Sequence, residues 1–198
     1  MAPLNYRNKV VLAPMVRIGE LPTRLLALQY GADLVWGPET IDRAIIGSTR
    51  TINSKTNCIE YTKTGRVIYR IHPSEQNRLV YQMGSASAEL AVQAAKLVAG
   101  DVAGIDLNCG CAKHFSISGG MGAALLKDVP RLEGILRRLV EEVGKVHDIG
   151  ISCKIRLLST DEETHDMVRK LCRTGIVGLT VCTRGAYVDC RFIVGLRL

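Results

Sequence analysis

The residues best placed to do chemistry lie in Asn108-Cys109-Gly110-Cys111-Ala112-Lys113, directly after the apolar run Val102-Ala103-Gly104-Ile105-Asp106-Leu107. That order puts a thiol on the loop leaving the C-terminal end of a predicted strand, with Gly110 to let the backbone turn. Barrels of alternating strands and helices keep their reacting groups on such loops. Cys111 is therefore the first candidate for a reacting group. Cys109 and Cys111 are spaced C-x-C with no second pair at zinc-site spacing, so no metal is expected. The chain has seven cysteines, an odd number, and several fall inside predicted buried elements, the pattern of structural thiols in a reduced compartment.

Short apolar runs alternate with longer segments of helical period, the mark of βα units around a parallel sheet. The spacing predicts strands over 10–15, 33–36, 79–83, 104–107, 151–155 and 178–182, apolar throughout as strands buried on both faces are. The clearest helix carries Leu132, Ile135, Leu136, Leu139, Val140 and Val143 on one face. Ser159-Thr160-Asp161-Glu162 reads as a capping box opening the next helix, whose inner face holds Met167, Val168, Leu171 and Cys172. Residues 58–61 and 67–71 flank Thr62-Lys63-Thr64-Gly65-Arg66 and predict an antiparallel hairpin, a surface decoration on the βα pattern.

At 198 residues and 47% hydrophobic content the chain suits one globular domain. No run approaches the ~20 apolar residues of a membrane helix, and the start lacks a signal peptide's apolar region, so the cytosol is the expected location. The net charge of +7 suits a polyanionic partner such as RNA. It equally suits solvated helix faces, because Arg137, Arg138, Arg169, Lys170 and Arg173 all fall on predicted helices.

Taken together, the motifs resemble the tRNA-dihydrouridine synthases, most closely the eukaryotic cytosolic type that modifies the D-loop. The resemblance rests on Leu12-Ala13-Pro14-Met15-Val16-Arg17, on Tyr30-Gly31-Ala32-Asp33 leading to Glu39, and on Glu75-Gln76-Asn77-Arg78-Leu79-Val80-Tyr81-Gln82-Met83-Gly84. The cysteine loop, the glycine run beginning at Gly119, and Cys153-Lys154-Ile155-Arg156 complete it. The family implies a TIM-type (β/α)8 barrel that uses FMN, with NADPH as reductant, to reduce a uridine of tRNA to 5,6-dihydrouridine. By the same resemblance, Cys111 gives the proton to C5 of the base. Ala13, Pro14 and Met15 lie against the flavin, Gln82 bonds its pyrimidine edge, and Lys154 stabilises charge near N1 and O2. Glu39 and Asn108 line the uracil pocket.

Several features depart from the family. Ala112 stands where the family usually has proline, and Val181-Cys182-Thr183-Arg184 replaces the usual sixth-strand histidine with Gly-Arg after it. About six βα units are countable over 1–198, with a divergent tail from about 184, so the expected fold is an incomplete barrel ending before strands seven and eight. The family binds the FMN phosphate on loops after those two strands, so the chain as given is expected to hold FMN weakly. The alternative reading is a catalytically silent barrel fragment acting as an RNA- or protein-binding module. A third, a flavin barrel acting on a small molecule, is disfavoured by the cysteine loop and the basic charge.

Overall fold

The computed structural model describes residues 4–182. In chain order the elements are β1 (Val11–Leu12), α1 (Leu21–Gln29), β2 (Leu34–Trp36), β3 (Thr40–Ile41), α2 (Asp42–Ile45), β4 (Thr49–Ile52), β5 (Ile59–Lys63), β6 (Arg66–Ile71) and β7 (Leu79–Gly84). They continue with α3 (Ala88–Val98), β8 (Gly104–Asn108), α4 (His114–Ser118), α5 (Val129–Leu139), α6 (Lys145–His147), β9 (Gly150–Arg156), α7 (Asp161–Cys172) and β10 (Gly178–Cys182). The main sheet runs β1-β2-β7-β8-β9-β10 with every pairing parallel, and β3 adds a short parallel ladder at the end of β7. The order follows the chain without reversal, as in a barrel wound in one direction and unlike an open sheet with a switch point. The architecture is an incomplete TIM-type barrel. No described helix is long and apolar enough to cross a membrane.

The strands are not apolar throughout; they alternate. Register aligns Gln82, Asp106 and Ser152 in one row and Asn108, Lys154 and Thr180 in the next. These rows share the sheet's inner face. The residues between them, including Tyr81, Met83, Ile105, Leu107, Ile151, Cys153, Ile155, Leu179 and Val181, are buried on the outer face against the helices. Two-faced burial therefore has different causes on the two sides, since helices cover the outside and polar side chains cover one another inside. Below the polar rows, the strand starts are small. A Cβ on Gly104 would meet Leu4 at 2.5 Å, and one on Gly178 would meet the Tyr6 ring at 2.6 Å. The segment before β1 thus closes the floor, with Tyr6 stacked on Trp36 at 5.7 Å.

The first strand is shorter than its apolar run predicts. Only Val11 and Leu12 pair, because Pro14 has no N–H to give a ladder, and Ala13–Met15 become loop. The helical face at 132–143 is buried at all six positions, across α5 and a following wide turn at Val140–Gly144. The cap of α7 sits one residue later than the sequence suggests. Thr160 accepts from the Glu163 N–H at 3.1 Å, and the Glu163 carboxylate accepts from the Ser159 N–H at 3.2 Å. Of its predicted inner face, Met167 and Leu171 are buried and Val168 and Cys172 are half-buried.

The insertion differs more. It is a three-stranded antiparallel sheet, β4-β5-β6, rather than a hairpin, and it is no decoration. Ile59, Tyr61, Tyr69 and Ile71 enter the main core. The third strand escaped the sequence because all four residues of β4 are exposed and leave no hydrophobic period to read. Arg50 of β4 nevertheless grips Asp101 through two N–H···O bonds of 2.6 and 2.8 Å. A second ion pair fixes the other side. Arg24 of α1, 1% exposed, holds Glu75, 0% exposed, in a bidentate pair at 2.8 Å for both bonds. The same guanidinium donates to the Gly19 and Arg70 carbonyls.

Removing one partner of a buried pair leaves the other charge without compensation, which costs about 3–5 kcal/mol. Arg24→Met and Glu75→Gln are each expected to lower unfolding free energy on that scale. Arg24→Met/Glu75→Leu should recover much of it, read by urea denaturation of the three variants beside the parent.

Candidate active site

The chain leaves β8 at Asn108, whose side chain shapes the cysteine loop. Asn108 Oδ1 accepts from the Gly110 N–H at 2.9 Å and the Cys111 N–H at 3.1 Å, a local turn that Asn makes readily. Cys109 N–H meanwhile bonds the Lys154 carbonyl at 2.8 Å and so extends the β8–β9 ladder by one residue. The two thiols therefore separate. Cys109 continues the strand's outward alternation into the core, where its Sγ lies 3.5 Å from the Leu107 carbonyl, while Cys111 is half-exposed above the strand end. The neighbouring Cys109 thiol and burial hold the Cys153 thiol well above the usual thiol range.

The glycine run that follows explains itself by contact. Ala123 N–H donates to the Cys111 carbonyl at 2.8 Å. Gly122 has φ of +59°, and a Cβ there would come within 2.5 Å of the Cys111 carbonyl oxygen and 3.0 Å of its Cβ. Only glycine lets the returning chain press so closely on the thiol-bearing residue.

Glu39, on the turn between β2 and β3, reaches the same region. Its Oε1 is buried with no hydrogen-bond partner among the described residues, and a Cβ on Gly84 would lie 2.6 Å from it. Burial raises its carboxyl pKa, and the Asn108 amide and the Lys113 charge pull it partly back. Glu39 and Asn108 are thus neighbours beneath the Cys111 loop.

One row deeper, Gln82 Nε2 donates to Asp106 Oδ2 at 2.8 Å and Ser152 Oγ donates to Asp106 Oδ1 at 2.7 Å. The Tyr6 hydroxyl lies 3.0 Å from Ser152 Oγ, so a line of hydroxyls leads from the floor to the carboxylate. Burial pushes the Asp106 carboxyl up to about 6, against the opposing pull of the Gln82 and Ser152 hydrogen bonds and the Lys154 charge. Lys154 is half-buried one row above, level with Asn108 and Thr180. Ala13, Pro14 and Met15 are half-buried at the end of β1, turned back by a Gly19 N–H bond to the Met15 carbonyl at 2.8 Å.

Register and strand-end position bring Gln82, Asn108, Lys154, Glu39 and Cys111 to one region at the carboxyl end of the inner face. Ala13, Pro14 and Met15 stand at the same end of the sheet, two strands from Gln82 in its order. Asp106 was not among the sequence candidates, because it sits inside an apolar run. Its two-residue spacing from Asn108 was the available signal, since both must share a face. The sixth strand ends at Cys182 as predicted; Thr183 and Arg184, where the sequence departs from the family, lie outside the described residues, as does the tail.

Comparison with known proteins bears on this arrangement. The dihydrouridine synthase (Dus) family model matches residues 11–191. The chain belongs to the dihydrouridine synthase family. It is 60% identical over 189 residues to a tRNA-dihydrouridine(20) synthase [NAD(P)+] of Schizosaccharomyces pombe, covering 93% of this chain and 40% of that protein. It is 50% identical over 189 residues to the Saccharomyces cerevisiae protein of the same name, covering 91% and 49%. A human tRNA-dihydrouridine(20a/20b) synthase [NAD(P)+]-like protein is 28% identical over 176 residues, covering 89% and 51%. The chain thus spans about half or less of the length of these relatives.

Asp106 and Gly122 each carry an expected outcome. The Asp106 pKa is higher in the folded protein, about 6, than its ordinary value of 3.8, so the unfolded chain gives up this proton first as pH rises. Wild type should therefore lose up to about 3 kcal/mol of stability between pH 4 and 6 and stay level above, from this group. Asp106→Asn removes that loss. Its unfolding free energy relative to wild type, measured in urea at successive pH values, should climb over the same window and then plateau. Gly122→Ala, with a positive φ and no room for a methyl, should cost more than about 1 kcal/mol in the same assay.

Proposed function

We propose that this chain carries the flavin- and uracil-facing part of a tRNA-dihydrouridine synthase, which reduces the C5–C6 bond of a uridine in tRNA with FMN as cofactor and NADPH as reductant, in the cytosol. The observation that carries this reading is the half-exposed Cys111 thiol, fixed by Asn108 and Gly122 at the mouth of an inner face that offers the Gln82 amide and the Lys154 ammonium. An amide and a cation on nearby strands suit the polar pyrimidine side of a flavin, which combines an imide N–H with carbonyl oxygens. Bound FMN would supply a hydride to C6 of the uracil.

The chain's own residues account for the rest. Cys111 Sγ–H gives its proton to C5 from the opposite side of the base, so that one hydride and one proton together saturate the double bond, and the thiolate recovers a proton from solvent. Lys154 would stand beside the N1–C2=O edge of a bound flavin, where a fixed cation lowers the cost of negative charge. Ala13, Pro14 and Met15 would present backbone to a bound flavin. Glu39 and Asn108 line the uracil pocket, and the unpartnered Glu39 Oε1 suits an N–H donor of the base. Arg17, Lys113 and His114 are exposed around the mouth, and Phe115 is 64% exposed, a combination suited to phosphate contact and base stacking. The arginines at 137, 138 and 169 instead pair with Glu133, Glu142 and Asp166 on helix surfaces.

The test is to supply the chain with FMN, NADPH and unmodified tRNA, and to follow flavin absorbance and dihydrouridine separately. Cys111→Ala should abolish dihydrouridine while NADPH still reduces the flavin, and Cys109→Ala should be far milder because its thiol faces the core. Lys154→Ala should weaken flavin binding. Equal losses from the two cysteine variants, or no flavin bound at saturating FMN, would overturn the reading.

A further inference from the structure

The side-chain amide of Gln82 is a two-ended group: its oxygen accepts and its nitrogen donates, and the two ends have nearly the same shape. Its environment decides which end faces a ligand. Asp106, when ionised, is acceptor-only. Only the nitrogen of Gln82 can sit 2.8 Å from Asp106 Oδ2; the reversed amide would set oxygen against oxygen in a site where Gln82 is 2% and Asp106 0% exposed. The carboxylate cannot rotate out of this conflict, because its other oxygen takes the Ser152 hydroxyl, and Tyr6 stands behind Ser152. The charged and titratable groups around Asp106 are Lys154, Tyr6 and Cys153, of which Lys154 favours the ionised carboxylate. Both carboxylate oxygens accept hydrogen bonds, Oδ2 from Gln82 Nε2 and Oδ1 from Ser152 Oγ, and these bonds with the Lys154 charge favour the ionised form against the upward push of burial.

We propose that Asp106 is a positioning residue that locks the Gln82 amide with its nitrogen inward, so that Gln82 Oε1 is presented to the ligand as an acceptor and selects the imide N3–H of the flavin. Among the described residues no donor occupies Gln82 Oε1. The identity of the ligand rests on the flavin reading above, whereas the orientation of the amide does not. Gln82 is then a directional contact that distinguishes a ring carrying N–H at this point from one that does not. Asp106 itself never touches the ligand.

The test has two arms. In the first, the full chain is labelled with 15N at pH 7.5, and the Gln82 side-chain NH2 is identified by its loss in Gln82→Met. The resonance is expected to show slow exchange with solvent and a coupling or shift change to Asp106, which collapses in Asp106→Asn. Rapidly exchanging Gln82 amide protons in wild type would overturn the proposal without any variant.

In the second arm, affinities for FMN and 3-methyl-FMN are measured by flavin fluorescence quenching. Wild type should prefer FMN by about tenfold or more, the scale of one lost hydrogen bond plus the methyl's bulk. In Asp106→Asn the new side chain can offer Gln82 either an oxygen or an NH2, so no orientation is enforced, and the preference should shrink about threefold or more. The methyl's bulk is common to both proteins and cancels in the comparison. An unchanged ratio in folded Asp106→Asn would overturn the proposal. If neither flavin binds, the flavin reading fails while the first arm still decides the orientation of the amide.

Discussion

The Arg24–Glu75 pair is the point through which most of the N-terminal half is tied together. A guanidinium and a carboxylate this deeply buried are tolerable only if their hydrogen-bonding capacity is met, and here one side chain joins four segments. It links α1, the turn that ends the Ala13–Met15 loop, the last strand of the insertion and the turn before β7. Glu75 also takes the His72 N–H, closing a capping box at that turn. Tyr69 lies under the guanidinium at 5.4 Å and abuts Gly37, where any side chain would overlap its hydroxyl. The loop that presents backbone at the end of β1, and the strand that presents Gln82, are thereby set by one electrostatic contact that lies outside the site.

The sheet itself separates two tasks by its period of two. Outward residues of β7, β8, β9 and β10 are apolar and pack on α3, α5 and α7, supplying the burial that stabilises the fold. Inward residues at the floor are Val80 and the glycines Gly104 and Gly150, and the rows above them carry Gln82, Asp106 and Ser152, then Asn108, Lys154 and Thr180. The polar row is costly to bury, and its cost is contained by mutual hydrogen bonding in which both oxygens of Asp106 are satisfied. A neutral hydrophobic row would fold as well and could orient nothing.

The parallel order, five of the six strands and the α5 face were legible in the sequence because each has a strong hydrophobic signal at a fixed period. The sixth, β1, was overextended because Pro14 ends pairing without ending the apolar run. β4 left no trace, being exposed at every position, and its place is set by Arg50 reaching Asp101 across the fold. The Cys111 loop was legible because it follows a strand, whereas Glu39 came only from the family resemblance. It was not legible at Asp106, whose neighbours Ile105 and Leu107 dominate a window average while pointing to the other face. A polar residue inside an apolar strand is read correctly only when its own face is considered.

The same alternation explains why two cysteines so close in sequence have different environments. Cys109 remains in register with β9 through its N–H bond to Lys154, so its side chain is committed to the outer core with Leu107 and Cys153. Asn108 then interrupts the ladder by turning its own oxygen onto the next two amides, and the chain leaves the sheet before Cys111. A strand one residue longer would draw Gly110 into the ladder and leave no free backbone for the turn; one residue shorter would bring Cys109 into the loop. The position of the half-exposed thiol is thus fixed by where Asn108 stops the ladder, and Gly122, having no Cβ, lets the returning chain pack against Cys111 there.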